Sequence, residues 1–355
     1  MKDNRGFSDG RTGKGVTIYD LAREAEVSPA TVSRILNGTA AVKTEKRERV
    51  MRLIEKYDYH PNAMARALTE SRSRLIGMVV AHSGNSYYNS LFAACESEAY
   101  RRGYVTMLMN THSQPAFERS TLARLCELRA EAAVICGGSI DREPLDDDFL
   151  TLLRGVRGKM RVVVGSRSPF PGIPGIMVDH AASMDLAVRY LAKLGHRKIS
   201  YIYTGSQFIG TQERLKLFRE TMESLFLPVR EEWLIQVPDY DISSGAEGIE
   251  RLLSLPEQPT ALLGMNDMVT AGMLQGLLNH GFSVPEDYSL LGFDDTFVAG
   301  ITTPRFSSIG YDYHDYAVRL LDAALGDEPE SAEPVTRRIP VYLKERESCA
   351  APREE

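Results

Sequence analysis

Two groups of residues in this chain could do chemistry. The first is the stretch SPATVSRILNG, Ser28 to Gly38. Ser28 followed by Pro29 is a helix cap and a first helical residue, and Gly38 is a stop in the left-handed conformation. Val32, Ile35 and Leu36 form one apolar face at i, i+3 and i+4. Pro29, Ala30, Thr31, Ser33, Arg34 and Asn37 are left facing outward. A core helix has no use for such a polar face, but a helix lying in the major groove of DNA does. Its hydroxyls and first N–H groups meet phosphates, and a guanidinium such as that of Arg34 can make a bidentate contact to guanine. The second group consists of Tyr87, Tyr88, Asn110, Arg167, Phe208, Asn266 and Asp294, each in the segment that follows an apolar run. In open α/β sheets a ligand sits outside the carboxyl ends of the strands. Paired donors and acceptors beside flat aromatic faces suit a sugar, and they also suit a nucleobase. Each position has a plainer reading as well: Asn266-Asp267 as a helix cap, Asp294-Asp295 as a turn.

The elements that must position the first group are short helices. Thr17 and Asp20 have the spacing of a capping box, and Leu21, Ala22 and Ala25 continue an apolar stripe. A third helix is expected from Thr44 to about Tyr57, with Val50, Leu53 and Ile54 inward. Two short helices braced by a third make a helix-turn-helix unit. After Pro61, a helix from Asn62 to Leu68 spans only about two turns and is not stable alone in water. Its small residues Ala63, Ala65 and Ala67 allow close approach to a groove, and Leu68 can wedge between base pairs. That segment reads as a hinge that folds on binding, or more plainly as a linker.

The second group needs strands. LIGMVVA, GYVTMLMN, EAAVICGG, RVVVGSRS, KISYIYTG, TALLGMND and YSLLGFDD are continuous apolar runs, most of them followed by a helical pattern. That alternation means parallel sheets covered on both faces. About 270 residues of it exceed one open sheet, so two similar halves with a cleft between them are expected.

Composition bounds the class. The 355 residues are 43% hydrophobic and 25% charged, as in a soluble globular chain of two or three domains. No window approaches the roughly eighteen apolar residues of a membrane span. MKDNRGFSDGRTGKG has no apolar core of a signal peptide and reads as a disordered arm of a cytoplasmic protein. Cys95, Cys126, Cys136 and Cys349 form no C-x-x-C pair, and the seven histidines lack ligand spacing, so free thiols and no metal or cofactor are expected. Residues 1–74 carry 15 Lys/Arg against 10 Asp/Glu, whereas the rest carries 27 against 38. A basic head on an acidic body points to a polyanion partner. No phosphate-loop, nucleophile-elbow or zinc-protease fingerprint occurs, so catalysis is not expected.

VTIYDLAREAEVSPATVSRILNG followed by VKTEKRERVMRLIEKYDYHPNAMARAL resembles the DNA-binding head and hinge of the lac repressor and gal repressor family of bacterial regulators. The resemblance implies that Pro29, Ala30 and Arg34 read bases, that Tyr19, Thr31, Ser33, Asn37 and Asn62 hold the backbone, and that Leu68 is the minor-groove wedge. The full set assigned to DNA adds Thr17, His60 and Ala65. Glu26 stands where the family often has glycine, and Lys43 where it often has the serine that caps the third helix, so Thr44 is expected to take over that cap. LGHRKISYIYTG, PTALLGMNDMVTAGMLQGLLNHGFSVPEDYSLLGFDD and TTPRFSSIGYD resemble the effector domain that the family shares with periplasmic sugar-binding proteins. Carried over, Arg214, Asn266 and Asp294 are polar ligand contacts and Tyr240 is a stacking aromatic. Tyr87, Tyr88, Arg167 and Phe208 complete the assigned effector site. Ala182 stands where some members place a ligand-facing carboxylate.

The expected fold is therefore α plus α/β: a helix-turn-helix head and hinge helix, then two doubly wound parallel-sheet subdomains like those of type I periplasmic binding proteins. The expected domains are an arm at 1–15, a head at 16–60, a hinge and linker at 61–74, an effector and dimerisation domain at 75–343 and a polar tail at 344–355. By resemblance the chain crosses three times, giving a first subdomain of 75–194 plus 311–326 and a second of 195–310 plus 327–343. The tail has no leucine heptad, so no separate tetramerisation coil is expected. The expected function is a repressor that binds a palindromic operator in double-stranded DNA as a homodimer, controlled by a sugar in the cleft. The alternatives are a purine- or nucleoside-responsive regulator and a ligand-binding protein without a DNA function.

Overall fold

The computed structural model describes residues 16–37, 42–59, 73–205, 208–326 and 332–353. The expectations for the 1–15 arm and for His60, Asn62, Ala65 and Leu68 lie outside these residues, as does the side chain of Asn37. The chain divides at Ser73 into two compact units.

In the head, α1 (Ile18–Glu24), α2 (Pro29–Asn37) and α3 (Thr44–Lys56) surround a small core. Leu21, Ala22, Ala25, Val32, Ile35 and Val50 are its buried members, with Leu36, Leu53 and Ile54 packed against them. The capping box of α1 is formed: Asp20 N donates to Thr17 Oγ1 at 3.3 Å and Thr17 N donates to Asp20 Oδ2 at 3.1 Å. Ser28 Oγ accepts Thr31 N at 3.2 Å and so caps α2. For α3 the expected transfer of the cap to Thr44 does not occur. Thr44 is already helical, the cap residue is Lys43, and no side chain satisfies that end. Instead α3 is tied to α1 by Lys56 Nζ and Tyr57 Oη, both donating to the Glu24 carboxylate at 2.8 Å.

The body contains two six-stranded sheets of the same plan. The first uses β1 (Leu75–Val80), β2 (Val105–Asn110), β3 (Ala132–Cys136), β4 (Arg161–Val164), β5 (Gly175–Val178) and a late strand, β11 (Thr336–Ile339), in the order β11-β5-β4-β3-β1-β2. All of its pairs are parallel. The second uses β6 (Ile199–Thr204), β7 (Leu234–Val237), β8 (Ala261–Gly264), β9 (Ser289–Asp294), β10 (Ser307–Tyr311) and β12 (Val341–Lys344), ordered β12-β10-β9-β8-β6-β7. Its edge strand β12 runs antiparallel to β10. Strands such as β3 and β9 are buried along their whole length, as helices on both faces require. Strand order reverses between β1 and β3 and between β6 and β8, and both switch points open toward the cleft.

The helices around the first sheet are α4 (Ser86–Arg101), α5 (Pro115–Glu127) and α6 (Asp147–Arg157). Around the second are α7 (His180–Lys193), α8 (Ile209–Ser224), α9 (Ile242–Leu253), α10 (Asp267–Asn279) and the short α11 (Phe297–Ile301). The last helix, α12 (Tyr313–Leu325), returns to the first core through Tyr316, Ala317, Leu320, Leu321 and Ala324.

Two crossings differ from the expected boundaries. Helix α7 buries Met184, Ala187, Val188 and Leu191 in the second core, so the first crossing falls at Asp179 rather than after Leu194. Strand β11 pairs with β5 of the first sheet, and the chain returns to the second only at Pro340. The expected second-half segment 327–343 is therefore split between the subdomains. The tail is also packed rather than free. Ser348 is fully buried, with its hydroxyl donating to Leu290 O at 2.5 Å, and Ala350 N donates to Ser289 Oγ at 3.0 Å.

Candidate functional site

In the head, Ala30, Arg34, Thr17 and Tyr19 are exposed, and Pro29, Thr31 and Ser33 are half-buried beside them. Arg34 has no ion pair or hydrogen bond with any described residue. Among the described residues, the outward face of α2 is thus a row of small and hydroxyl side chains around one guanidinium with no partner. Glu26, in the turn between α1 and α2, has φ +53°, a region that favours glycine.

In the body, a cavity of about 420 Å³ opens between the two sheets' carboxyl ends. It has the size of small-molecule sites in general. Seven of the eight assigned effector residues line it: Tyr87, Tyr88, Phe208, Arg214, Tyr240, Asn266 and Asp294. Arg167 does not. After β4 the side chains alternate: Ser166 is buried and lines the cavity, Arg167 is exposed, and Ser168 is buried with its hydroxyl donating to Ile173 O at 2.7 Å. The alternation turns Arg167 outward, toward Glu213. Asn110 is also outside the lining. It ends the edge strand β2, away from the switch point, and accepts the N–H groups of Ser83 and His112 at 3.4 Å each.

Each polar group is held by its local structure. Asn266 caps α10 by accepting Val269 N at 2.7 Å, and its amide donates to Tyr240 O at 3.2 Å. The plain capping role is therefore real, and the same side chain forms part of the cavity wall. Arg214 donates from Nη1 to Met265 O at 2.9 Å and lies 5.2 Å over the Phe293 ring. Its Nε, like the hydroxyl of Thr211 on the same wall, is buried without a well-formed hydrogen bond among the described residues, beside the phenols of Tyr201 and Tyr240 respectively. Asp294 sits at φ +100°, a backbone cost of about 1–3 kcal/mol for a non-glycine residue. It is fixed by Tyr311 Oη, which donates to its carboxylate at 3.1 Å, and by Tyr313 Oη, which donates to its carbonyl at 3.2 Å. Burial pushes the Asp294 carboxyl above the usual range, while Arg214 and Tyr311 partly offset that shift. Strain and a perturbed acid at one position are a common mark of function.

The structure brings in residues that the sequence reading did not single out. Asp141 reaches the cavity from a short 3₁₀ turn, Gly138–Asp141, after β3. Gly137 and Gly138 at φ +80° and +78° make that turn, and a Cβ at Gly137 would collide with the Tyr88 hydroxyl. Burial raises Asp141 to about 6, with Ser166 lowering it by a hydrogen bond and the Glu118 charge adding to the rise. His180, the first residue of α7, pairs through Nδ1 with Glu213 at 3.1 Å. Burial and the Arg214 charge hold it below the ordinary histidine range, so it is neutral at neutral pH. Tyr311 and Tyr316, at the second crossing, complete the wall.

The two subdomains also touch across the cleft. Arg142 and Phe208 form an isolated antiparallel bridge, and Thr296 Oγ1 donates to Ser86 Oγ at 3.1 Å. No group of three metal-binding side chains occurs among the described residues, and none of their helices is long and apolar enough to cross a membrane.

Comparison with known proteins matches both units. Residues 17–62 fit the model of bacterial regulatory proteins of the lacI family, and residues 188–349 fit a periplasmic binding protein-like domain. Catabolite control protein A of Priestia megaterium is 29% identical over 94% of this chain and 99% of its own. The transcriptional regulator GalR of Salmonella typhimurium is 29% identical over 95% of this chain and 96% of its own. Among solved structures, the lac repressor dimer bound to operator and the anti-inducer ONPF has a TM-score of 0.82 at 24% identity, over 95% of this chain and 100% of that one. A LacI transcriptional regulator from a Rhodococcus species has a TM-score of 0.67 at 28% identity, over 78% of this chain and 98% of that one. The chain thus joins a head of the lacI family of bacterial regulatory proteins to a periplasmic binding protein-like body, the arrangement of the transcriptional regulators it resembles over nearly its whole length.

Proposed function

We propose that this regulator binds a palindromic operator as a homodimer in the cytoplasm and represses transcription until a sugar enters the cleft. The observation that carries the reading is the cavity wall. Tyr87, Tyr88, Phe208 and Tyr240 offer flat faces, and Asp141, Asn266 and Asp294 offer acceptors and donors at its edges. A sugar presents C–H faces and hydroxyl edges in the same alternation. Two carboxylates with raised proton affinity oppose a phosphate or an acid as ligand.

The DNA side rests on Arg34 as the base reader, with Pro29 and Ala30 allowing close approach. Thr17, Tyr19, Thr31, Ser33 and Asn37 hold phosphates. The dimer follows from palindrome recognition, since one head reads one half-site, and the lac repressor of the same fold is a dimer on its operator. Sugar entry would shift the few contacts across the cleft, with a coupling of about 1–3 kcal/mol.

The test is a thermal-shift screen of the purified protein with sugars, sugar phosphates and nucleobases. A ligand at 100 times its dissociation constant adds about 2.7 kcal/mol to stability. A hit among sugars is expected. A response only to purines or nucleosides would replace the sugar in this account.

A further inference from the structure

The charged lining of the cavity is unbalanced. Asp141, Asp239, Asp241 and Asp294 face one guanidinium, Arg214, together with the imidazoles of His82 and His180. His180 is held neutral by burial. Arg214 is committed to Met265 O and to the charge of Asp294 beside it. At the rim, Asp241 caps α9 by accepting Ser244 N at 2.9 Å, and Asp239 accepts Tyr240 N at 2.7 Å. Asp141 has no such support. It forms no ion pair and accepts no backbone N–H among the described residues, only the Ser166 hydroxyl. The charge that acts on it, Glu118, is of the same sign. An isolated carboxylate in a concave, partly desolvated wall is costly unless a cation meets it.

The side chains beside Asp141 are aromatic. Tyr88 and Tyr240 bring their phenol groups within its electrostatic reach, and the Phe208 and Tyr240 ring centroids are 6.0 Å apart on the same cavity wall. A carboxylate among phenol oxygens and aromatic side chains suits an ammonium group, which gains from the charge, from hydroxyl acceptors and from any ring it meets. On the opposite wall Thr211 Oγ1 and Arg214 Nε are buried beside the Tyr240 and Tyr201 phenols and make no well-formed hydrogen bond among the described residues, which leaves them open to ligand oxygens.

We propose that the cleft is built for an amino sugar, whose hydroxyls meet the second-subdomain wall and whose ammonium group pairs with Asp141 between Tyr88 and Tyr240. This rests on the reading of the cleft as a sugar site and narrows it. Asp141 supplies a ligand-facing carboxylate from the first subdomain. N-acetylation, which removes the charge and adds bulk at the same nitrogen, abolishes the fit.

The test is isothermal titration of the full chain with three matched sets. These are glucosamine, galactosamine, mannosamine and the disaccharide of glucosamine; their N-acetylated forms; and the neutral parent sugars. At least one free amino sugar is expected to bind tenfold or more tightly than its acetylated and neutral counterparts. Asp141→Asn, shown to be folded by Trp233 fluorescence, should bring that preference near parity. Neutral or acetylated sugars binding as well as the amines, or a preference that survives in Asp141→Asn, overturns the proposal and leaves the sugar reading standing. No binding by any saccharide, with binding by adenine, guanine or their nucleosides in the same instrument, overturns both. No binding by any amino sugar overturns the proposal whatever else binds.

Discussion

Replacing Asp141 with asparagine should make the body more stable at neutral pH. The carboxyl is raised from 3.8 to about 6 by burial. A full shift of that size corresponds to about 3 kcal/mol between the two protonation states. Asp141 is only half-buried at the cavity wall, and solvent screening reduces the expected effect to about 1–2 kcal/mol. The sign follows from the direction of the shift. A folded-state value above the unfolded one gives stability that is fully present below pH 3.8 and is lost as pH rises through about 6. Asparagine mimics the protonated acid, so the variant keeps what the parent loses. The gap should be largest at pH 7.5 and about half as large at pH 5. Urea unfolding followed at Trp233 measures it. That residue is the chain's one tryptophan, 1% exposed in the second subdomain, with Nε1 donating to Glu257 O at 3.1 Å. A variant less stable than the parent at pH 7.5, or a gap that does not change with pH, would refute the reasoning. The carboxylate would then be a needed structural acceptor and not an uncompensated charge.

Other consequences concern the head. Arg34→Ala should weaken binding to the selected operator by about 1–3 kcal/mol and relax base preference at one position, as read by fluorescence anisotropy against a panel of single-base variants; a uniform loss across all sequences would make Arg34 a phosphate contact. Leu21→Ala removes a fully buried side chain from a six-residue core and should cost about 2–5 kcal/mol. So small a core cannot absorb that, and DNA binding should disappear while the Trp233 transition stays in place; a shifted Trp233 transition would show that the units do not unfold separately. Glu26→Gly should stabilise the head by roughly 0.5–1 kcal/mol, because glycine accepts φ +53° without the Cβ penalty. The lost Arg49 contact at 3.4 Å is solvent-exposed and worth little. Circular dichroism of an isolated head fragment would not suffice here, so hydrogen exchange of the α1 and α2 amides in the full chain is the measurement, with unchanged or faster exchange as the contrary result.

Local signals were the most legible part of the sequence. The Thr17–Asp20 box and the Ser28 cap depend on residues three apart, and both are present as bonds. The doubling of the α/β plan could be read from apolar runs, because strands buried on both faces carry no polar alternation. Domain crossings were less legible. The inward face of α7 has the spacing of any amphipathic helix, and nothing in Met184, Ala187, Val188 or Leu191 says which of two similar cores receives them. Arg167 was misplaced because a position after a strand fixes nearness to the sheet's end but not which way the side chain points. Asp141 was missed for the converse reason. Its run ends in Gly137-Gly138, and only their left-handed turns carry Asp141 back to the cavity. Tyr311, Tyr313 and Tyr316 stand within six residues, a density of phenols at a strand end that the post-strand rule could have caught. Asn266 shows that a cap and a cavity wall are compatible roles for one side chain.

The proposed regulation requires that occupancy of the cleft change the grip of the head on DNA. The most direct measurement is operator affinity of the full chain and of Asp294→Ala, titrated with the saccharide that gives the largest thermal shift. Saturating ligand should weaken the parent's operator affinity by about 5- to 150-fold, the span of a typical allosteric coupling, and leave Asp294→Ala unchanged while its ligand-free affinity matches the parent's. Equal responses in the two proteins, or a parent that binds the ligand with no change in operator affinity, would contradict it.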